Sequence, residues 1–134
     1  MGRFKVAPDA RRLTKRMLIR VLRAKIHMAA VTEASVHYVG SIAVDTDLAD
    51  AAGLVPGECV LVADVNNGQR FETYVMPAPP GSGTVCVNGA AARLASVGDR
   101  IIIMGWAQVT PEEARSLKPT VLLLNEKNKI LRKL

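Results

Sequence analysis

From Gly40 onward, turn residues interrupt this chain so often that no long helix can form there. Gly40-Ser41, Gly53, Pro56-Gly57, Asn66-Asn67-Gly68, the three prolines within residues 77–83, Asn88-Gly89 and Gly98-Asp99 punctuate it. Between them lie short runs rich in Val, Ile and Thr, which suit strands. Many short strands separated by Gly and Pro turns, with one- or two-turn helices, predict a small β-barrel. The roughly 118 residues from Met17 onward are ample for six or seven strands of ordinary length.

The runs are placed as follows. Residues 17–27 read as a strand with a disturbed middle, because their apolar positions keep no clean helical period. Residues 31–33 form a second short strand or its turn, and Val36-His37-Tyr38-Val39 a third that ends at Gly40-Ser41. Residues 45–53 are a short helix, capped by Asp45 or Thr46 and stopped by Gly53. Residues 58–65 and 69–76 are a hairpin around Asn66-Asn67-Gly68. Alternation along its return strand puts Arg70 and Tyr74 on one face. Residues 77–83 are a loop, since Pro cannot donate to a ladder. Residues 84–87 are a strand, and Asn88-Gly89-Ala90-Ala91-Ala92-Arg93 a turn leading into a helical turn. The most apolar strand follows Gly98-Asp99, and Thr110-Pro111 opens a short helix with Pro at its first position. Residues 119–124 are the last strand, and residues 127–134 a tail expected to fray.

Composition narrows the function classes. Aromatics are 4% of the chain, so the core must come from Val, Ile, Leu and Ala. The net charge of +6 is uneven: residues 1–16 hold six basic residues against Asp9 alone. The remaining 12 basic and 11 acidic residues nearly balance, so the domain lacks the footprint of a nucleic-acid binder. Residues 1–16 read as a flexible basic extension, or as sequence upstream of a start near Met17. No apolar run approaches the ~20 residues that cross a bilayer. Cys59 and Cys86 sit in apolar runs without a Cys-x-x-Cys, which predicts free buried thiols in a reducing, cytoplasmic setting. His27 and His37 make no zinc pattern, and no metal is expected.

Gly40-Ser41 has two readings. One is a turn. The other is a bond that cuts itself, with the Ser41 hydroxyl attacking the Gly40 carbonyl, converting amide to ester and eliminating it to leave an N-terminal carbonyl group. The stretch alone leaves both open.

The wider chain resembles the aspartate 1-decarboxylase family, pyruvoyl-dependent enzymes that make β-alanine for pantothenate. The resemblance is carried by residues 19–27, Val31-Thr32, Tyr38-Val39-Gly40-Ser41-Ile42, and Asp45 with residues 48–53. It continues through Asn67-Gly68, residues 70–74, Gly81-Ser82-Gly83, residues 87–92, Val97-Gly98-Asp99, and Pro119 with Leu124-Asn125 and Asn128-Lys129-Ile130. Val21 stands where the family usually has Thr, a tolerable packing variation. The resemblance implies a mainly β, double-ψ β-barrel with a few short helices. It implies a homotetramer with active sites between neighbouring subunits. It also implies cleavage between Gly40 and Ser41 into chains 1–40 and 41–134, with Ser41 becoming the pyruvoyl group.

The chemistry explains the residue types. Decarboxylating an amino acid leaves electrons on Cα, and a carbonyl bound to the substrate amine accepts them. L-aspartate carries two carboxylates, which Arg70 and Lys25 would hold, Arg70 in bidentate fashion. Tyr74 matches the proton donor of the family, and Thr73 a binding and processing residue, although alternation points Thr73 to the opposite face. Gly89, Ala90 and Ala91 match substrate contacts, with backbone N–H groups open to an anion. Asn88, His27 and Tyr38 match supporting positions. Read without the resemblance, Arg70 and Lys25 are solvated strand charges, Tyr74 is packing, and residues 88–91 are an ordinary turn. Two further readings compete: a β-barrel module contacting nucleic acid through its basic arm, and a member that folds but stays uncut.

Overall fold

The computed structural model describes residues 17–134; the expectation for the basic arm, residues 1–16, lies outside the described residues. Nine strands form one mixed sheet in the order β2-β6-β3-β5-β4-β7-β1-β8-β9. They are β1 Ile19–Ala30, β2 Glu33–Ser35, β3 Ser41–Asp45, β4 Cys59–Asp64, β5 Arg70–Ala78, β6 Val85–Asn88, β7 Arg100–Val109, β8 Thr120–Leu124 and β9 Ile130–Lys133. Two short helices, α1 Thr46–Ala52 and α2 Pro111–Ala114, and one 3-10 turn, Gly89–Arg93, complete the chain.

The sheet wraps around a single core. Ile26 of β1, Val44 of β3, Val62 of β4, Val75 of β5, Ile103 of β7 and Leu122 of β8 belong to one buried cluster. Strands so far apart in sheet order can share a core only if the sheet curls, which gives the barrel-like shape expected of a mainly β chain. The core is aliphatic, as the scarcity of aromatics requires. β1, between β7 and β8, is irregular in its middle: its register against β7 shifts between Leu22 and Ala24 and again between His27 and Ala29. Bulges of this kind bend a strand and increase its twist.

Local chemistry sets the turns. The Asp45 side chain accepts from Asp47 N at 2.9 Å and caps α1, and Gly53 ends the helix at φ 80. Leu48, Ala49 and Ala52 face the core. Asp64 accepts from Asn66 N and Asn67 N to close the β4–β5 turn. Thr110 and Glu113 cap α2 reciprocally around Pro111.

Five expectations need correction. Residues 36–39 are not a strand: Tyr38 N donates to Ser35 O, so the chain turns there and the next strand begins at Ser41. β5 runs through Pro77 to Ala78, pairing with β3. Among the described residues the last bonds on its β4 side are those of Val75 with Glu58 and Gly57, so the missing N–H of Pro77 is tolerated. The C-terminal tail does not fray but forms β9, antiparallel to β8. Strands therefore number nine among the described residues, not six or seven. Finally, both cysteines are free, but only Cys86 is buried; Cys59 is exposed at the start of β4.

Candidate active site

Ser41 opens β3, between β6 on one side and β5 on the other. It lies opposite Asn88 in the antiparallel β3–β6 pair. On the other side, Ile42 pairs with Val75, so Ser41 comes alongside Tyr74. Asn88, Ser41 and Tyr74 thus form a transverse row across three strands. Ser41 and Asn88 are each 6% exposed, and Asn88 Nδ2 donates to Ser41 Oγ at 3.3 Å. Tyr74 presents its ring at the surface of the same sheet face.

This row lies in a cavity of about 750 Å³. Tyr38 and Val39 from the turn before Ser41, Met76 of β5, and Glu33 of β2 contribute to its walls. Tyr38 and Val39 are 67% and 76% exposed, so this wall is a projecting loop tip. The wall also includes Cys86, two residues before Asn88 on β6.

Gly89 begins the 3-10 turn at φ 74, backbone that glycine adopts without steric cost. A Cβ there would lie 2.6 Å from Gly40 Cα, 3.0 Å from Gly40 N and 3.3 Å from Tyr38 O. The backbone before Ser41 is therefore pressed against Gly89. Gly40 itself has open space among the described residues where a side chain would go, and no positive φ. The close approach resides at Gly89 instead.

The other sequence-derived residues fall elsewhere. Lys25 and His27 lie on β1 and Arg70 on β5, and none of them lines this cavity. Successive registers place His27, Ile102, Ala63 and Arg70 in one transverse row on the outer face of the sheet. At about 4.8 Å per strand, His27 and Arg70 are roughly 14 Å apart. His27 Nδ1 is buried without a hydrogen bond among the described residues. Burial, then the charges of Lys25 and Arg100, pushes the His27 pKa down. Thr73 pairs with Val60 and alternates to the face opposite Tyr74, as its position predicted. Ala90 is exposed, and Ala91 packs against the core.

The sequence assigns Glu33 and Met76 no part in a site, and reads Cys86 only as a buried free thiol. A signal for two of them existed in the period-2 rule: Cys86 shares the face of Asn88, and Met76 that of Tyr74. Among the described residues no group of three or more His, Cys, Asp or Glu side chains is placed to hold a metal ion. No helix among them is long and apolar enough to cross a membrane.

Fold and site together define a small, mainly β protein with a walled cavity around a buried serine at a Gly-Ser junction. Comparison with known proteins narrows this. The family model for aspartate decarboxylase matches residues 17–131. Aspartate 1-decarboxylase of Lactiplantibacillus plantarum is 53% identical over 117 residues, covering 87% of this chain and 90% of that protein. The enzyme of the same name from Caldicellulosiruptor saccharolyticus is 52% identical over 116 residues, with 87% and 91% covered. That of Bacteroides thetaiotaomicron is 56% identical over 106 residues, with 79% and 91% covered. The chain belongs to the aspartate decarboxylase family.

Proposed function

We propose that the protein decarboxylates L-aspartate to β-alanine and CO2, as a step of pantothenate biosynthesis, after cutting itself between Gly40 and Ser41. The observation that carries this reading is the row Asn88–Ser41–Tyr74, with Ser41 Oγ buried and hydrogen-bonded at the mouth of β3. In the cut, Ser41 Oγ bonds to the Gly40 carbonyl carbon, the Gly40 C–Ser41 N bond breaks, and the hydroxyl proton passes to the freed amine. Loss of the Ser41 Cα proton then expels Gly40 as a carboxylate. Water hydrolyses the remaining dehydroalanine, releasing ammonia and leaving a pyruvoyl group on chain 41–134. The site fits that group: it is a walled cavity with an amide donor beside the position of Oγ.

A pyruvoyl carbonyl supplies the electron sink that decarboxylation needs. The chain's own residues do the rest. Tyr74, beside Ser41, returns a proton to Cα. The exposed guanidinium of Arg70 and the ammonium of Lys25 hold the carboxylates, with Thr73 and the backbone of Gly89, Ala90 and Ala91 completing the contacts. Asn88, His27 and Tyr38 support them. Within one subunit neither Lys25 nor Arg70 lines the cavity around Ser41, which supports a homotetramer in which a site takes residues from two subunits. The parallel pairs β1–β8 and β3–β5, within a largely antiparallel sheet, support the double-ψ topology. Free thiols support a cytoplasmic setting.

Intact mass under denaturing conditions tests the reading. Two fragments, 1–40 and 41–134, are expected, the second lighter than its sequence because residue 41 has lost nitrogen. Ser41→Ala is expected to fold, stay uncut and release no CO2 from aspartate. A wild-type chain that stays whole after prolonged incubation, or an active Ser41→Ala, would overturn it.

A further inference from the structure

Cys86 lines the cavity, yet the chemistry above gives it no task. Its Sγ donates to Asn88 Oδ1 at 3.1 Å, and on the far side of the same amide Nδ2 donates to Ser41 Oγ at 3.3 Å. Glu33 Oε2 lies 3.7 Å from the sulfur, a longer and competing acceptor. Glu33, Cys86, Asn88 and Ser41 therefore form a line of contacts across β2, β6 and β3.

A primary amide has two ends of nearly equal shape, one donating and one accepting, and its neighbours decide which way it faces. A serine hydroxyl satisfies either end. A protonated thiol is better satisfied by the oxygen. Burial, then the carboxylate of Glu33, raises the Cys86 pKa, which keeps the thiol protonated near neutral pH. The hydroxyl leaves the choice open, and the thiol makes it.

We propose that Cys86 is a positioning residue for self-cleavage: its S–H holds the Asn88 amide with the nitrogen toward Ser41 Oγ. The inference rests on the self-cleavage reading above. Its chemical reason lies in the ester. When Oγ bonds to the Gly40 carbon, the C–N bond breaks and the hydroxyl proton moves to the Ser41 nitrogen. The ester oxygen then has no proton and can only accept. With Nδ2 facing it, the Asn88 contact survives the change from alcohol to ester. With the amide reversed, Oδ1 would face an oxygen with nothing to donate, and the contact would be lost as the ester forms.

The test is the self-cleavage time course of the full-length chain, followed by intact mass and paired with Tm. Cys86→Ala removes the donor and is expected to cut roughly 3- to 10-fold more slowly, the worth of one net hydrogen bond. Cys86→Ser restores an O–H donor and is expected to cut within about twofold of wild type. Should Cys86→Ala fail to fold, the isosteric pair Cys86→Val and Cys86→Thr gives the same contrast, since the two differ in the hydroxyl. Equal rates within the readable pair, in a wild-type background that cuts, would overturn this inference and leave self-cleavage standing. A wild-type chain that never cuts would remove the parent reading and this one together.

Discussion

The Cα of Gly40 occupies the space that a side chain on Gly89 would need. An ideal Cβ at residue 89 falls 2.6 Å from it, closer than such atoms approach in real structures. Gly89→Ala therefore has to move the backbone that precedes Ser41, and it also strains a residue at φ 74. It is expected to cost ~1–3 kcal/mol in urea denaturation. Because the reacting carbonyl moves with Gly40, cleavage is expected to slow by about 100-fold, as a misplacement near 1 Å can do. A mass time course checks this; cleavage at the wild-type rate would mean that the contact does not hold the reacting bond.

Tyr74→Phe removes a hydroxyl from the exposed rim of the row and leaves Ser41 and Asn88 in place. It is expected to cut into two fragments but to lose roughly 10²- to 10⁴-fold in turnover, the usual worth of a positioned proton donor. β-Alanine formation by the fully cut variant gives the number. Turnover at the wild-type rate would remove Tyr74 as the acid.

Asp45 ties α1 to the loop before β6, accepting from Asp47 N at 2.9 Å, Gly81 N at 3.0 Å and Gly83 N at 2.9 Å. Burial would raise its pKa, but these backbone donors outweigh burial and hold it below the ordinary 3.8. A depressed carboxylate stabilises the fold above its unfolded pKa, and the contribution is lost as pH falls through the folded value. Asp45→Asn places an amide N–H against a backbone N–H and is expected to cost ~1–3 kcal/mol at pH 7. The difference from wild type should shrink as the pH is lowered below about 4, which denaturation at several pH values can measure.

Asp64 has the opposite sign. Burial, then the neighbouring Asp99, pushes its pKa up, and its Oδ2 is buried without a hydrogen-bond partner among the described residues. A raised carboxylate contributes stability at low pH that is lost as pH rises through its folded value. Asp64→Asn keeps Oδ1 for Asn66 N and Asn67 N and gives Asp99 a donor. It is expected to gain ~1 kcal/mol at pH 7 to 8, with the gain disappearing towards pH 3. A lower Tm than wild type at pH 8 would refute this.

Much of this fold is local chemistry and was readable as such. Asp45, Gly53, Asn66-Asn67-Gly68 and Thr110-Pro111 each carry the side chain or backbone freedom that their turn or cap requires. Residues 36–39 misled because β-branched residues suit a strand only where another strand is available, and here the chain turns on itself. β9 is not legible in the sequence because its register comes from a turn at Asn125 and Asn128, where Asn128 takes φ 59, a conformation Asn tolerates better than most residues. The face shared by Arg70 and Tyr74 was legible because one strand carries both, although only Tyr74 lines the cavity. Cys86 was not, because its contact depends on the side chains around Asn88 and on the β3–β6 register.

The placement of β1 has one more consequence. It runs through the middle of the sheet between β7 and β8, and it lies wholly on the N-terminal side of the Gly40–Ser41 bond. A cut there releases nothing: the shorter peptide is woven into the body that the longer one builds. Reassembly, however, changes kinetic order. An intact subunit would fold at a rate independent of dilution, whereas the two peptides of a cut one, once melted, would have to find each other again. Scission would thus make the mature protein easy to keep and hard to rebuild, its recovery from heat falling as it is diluted.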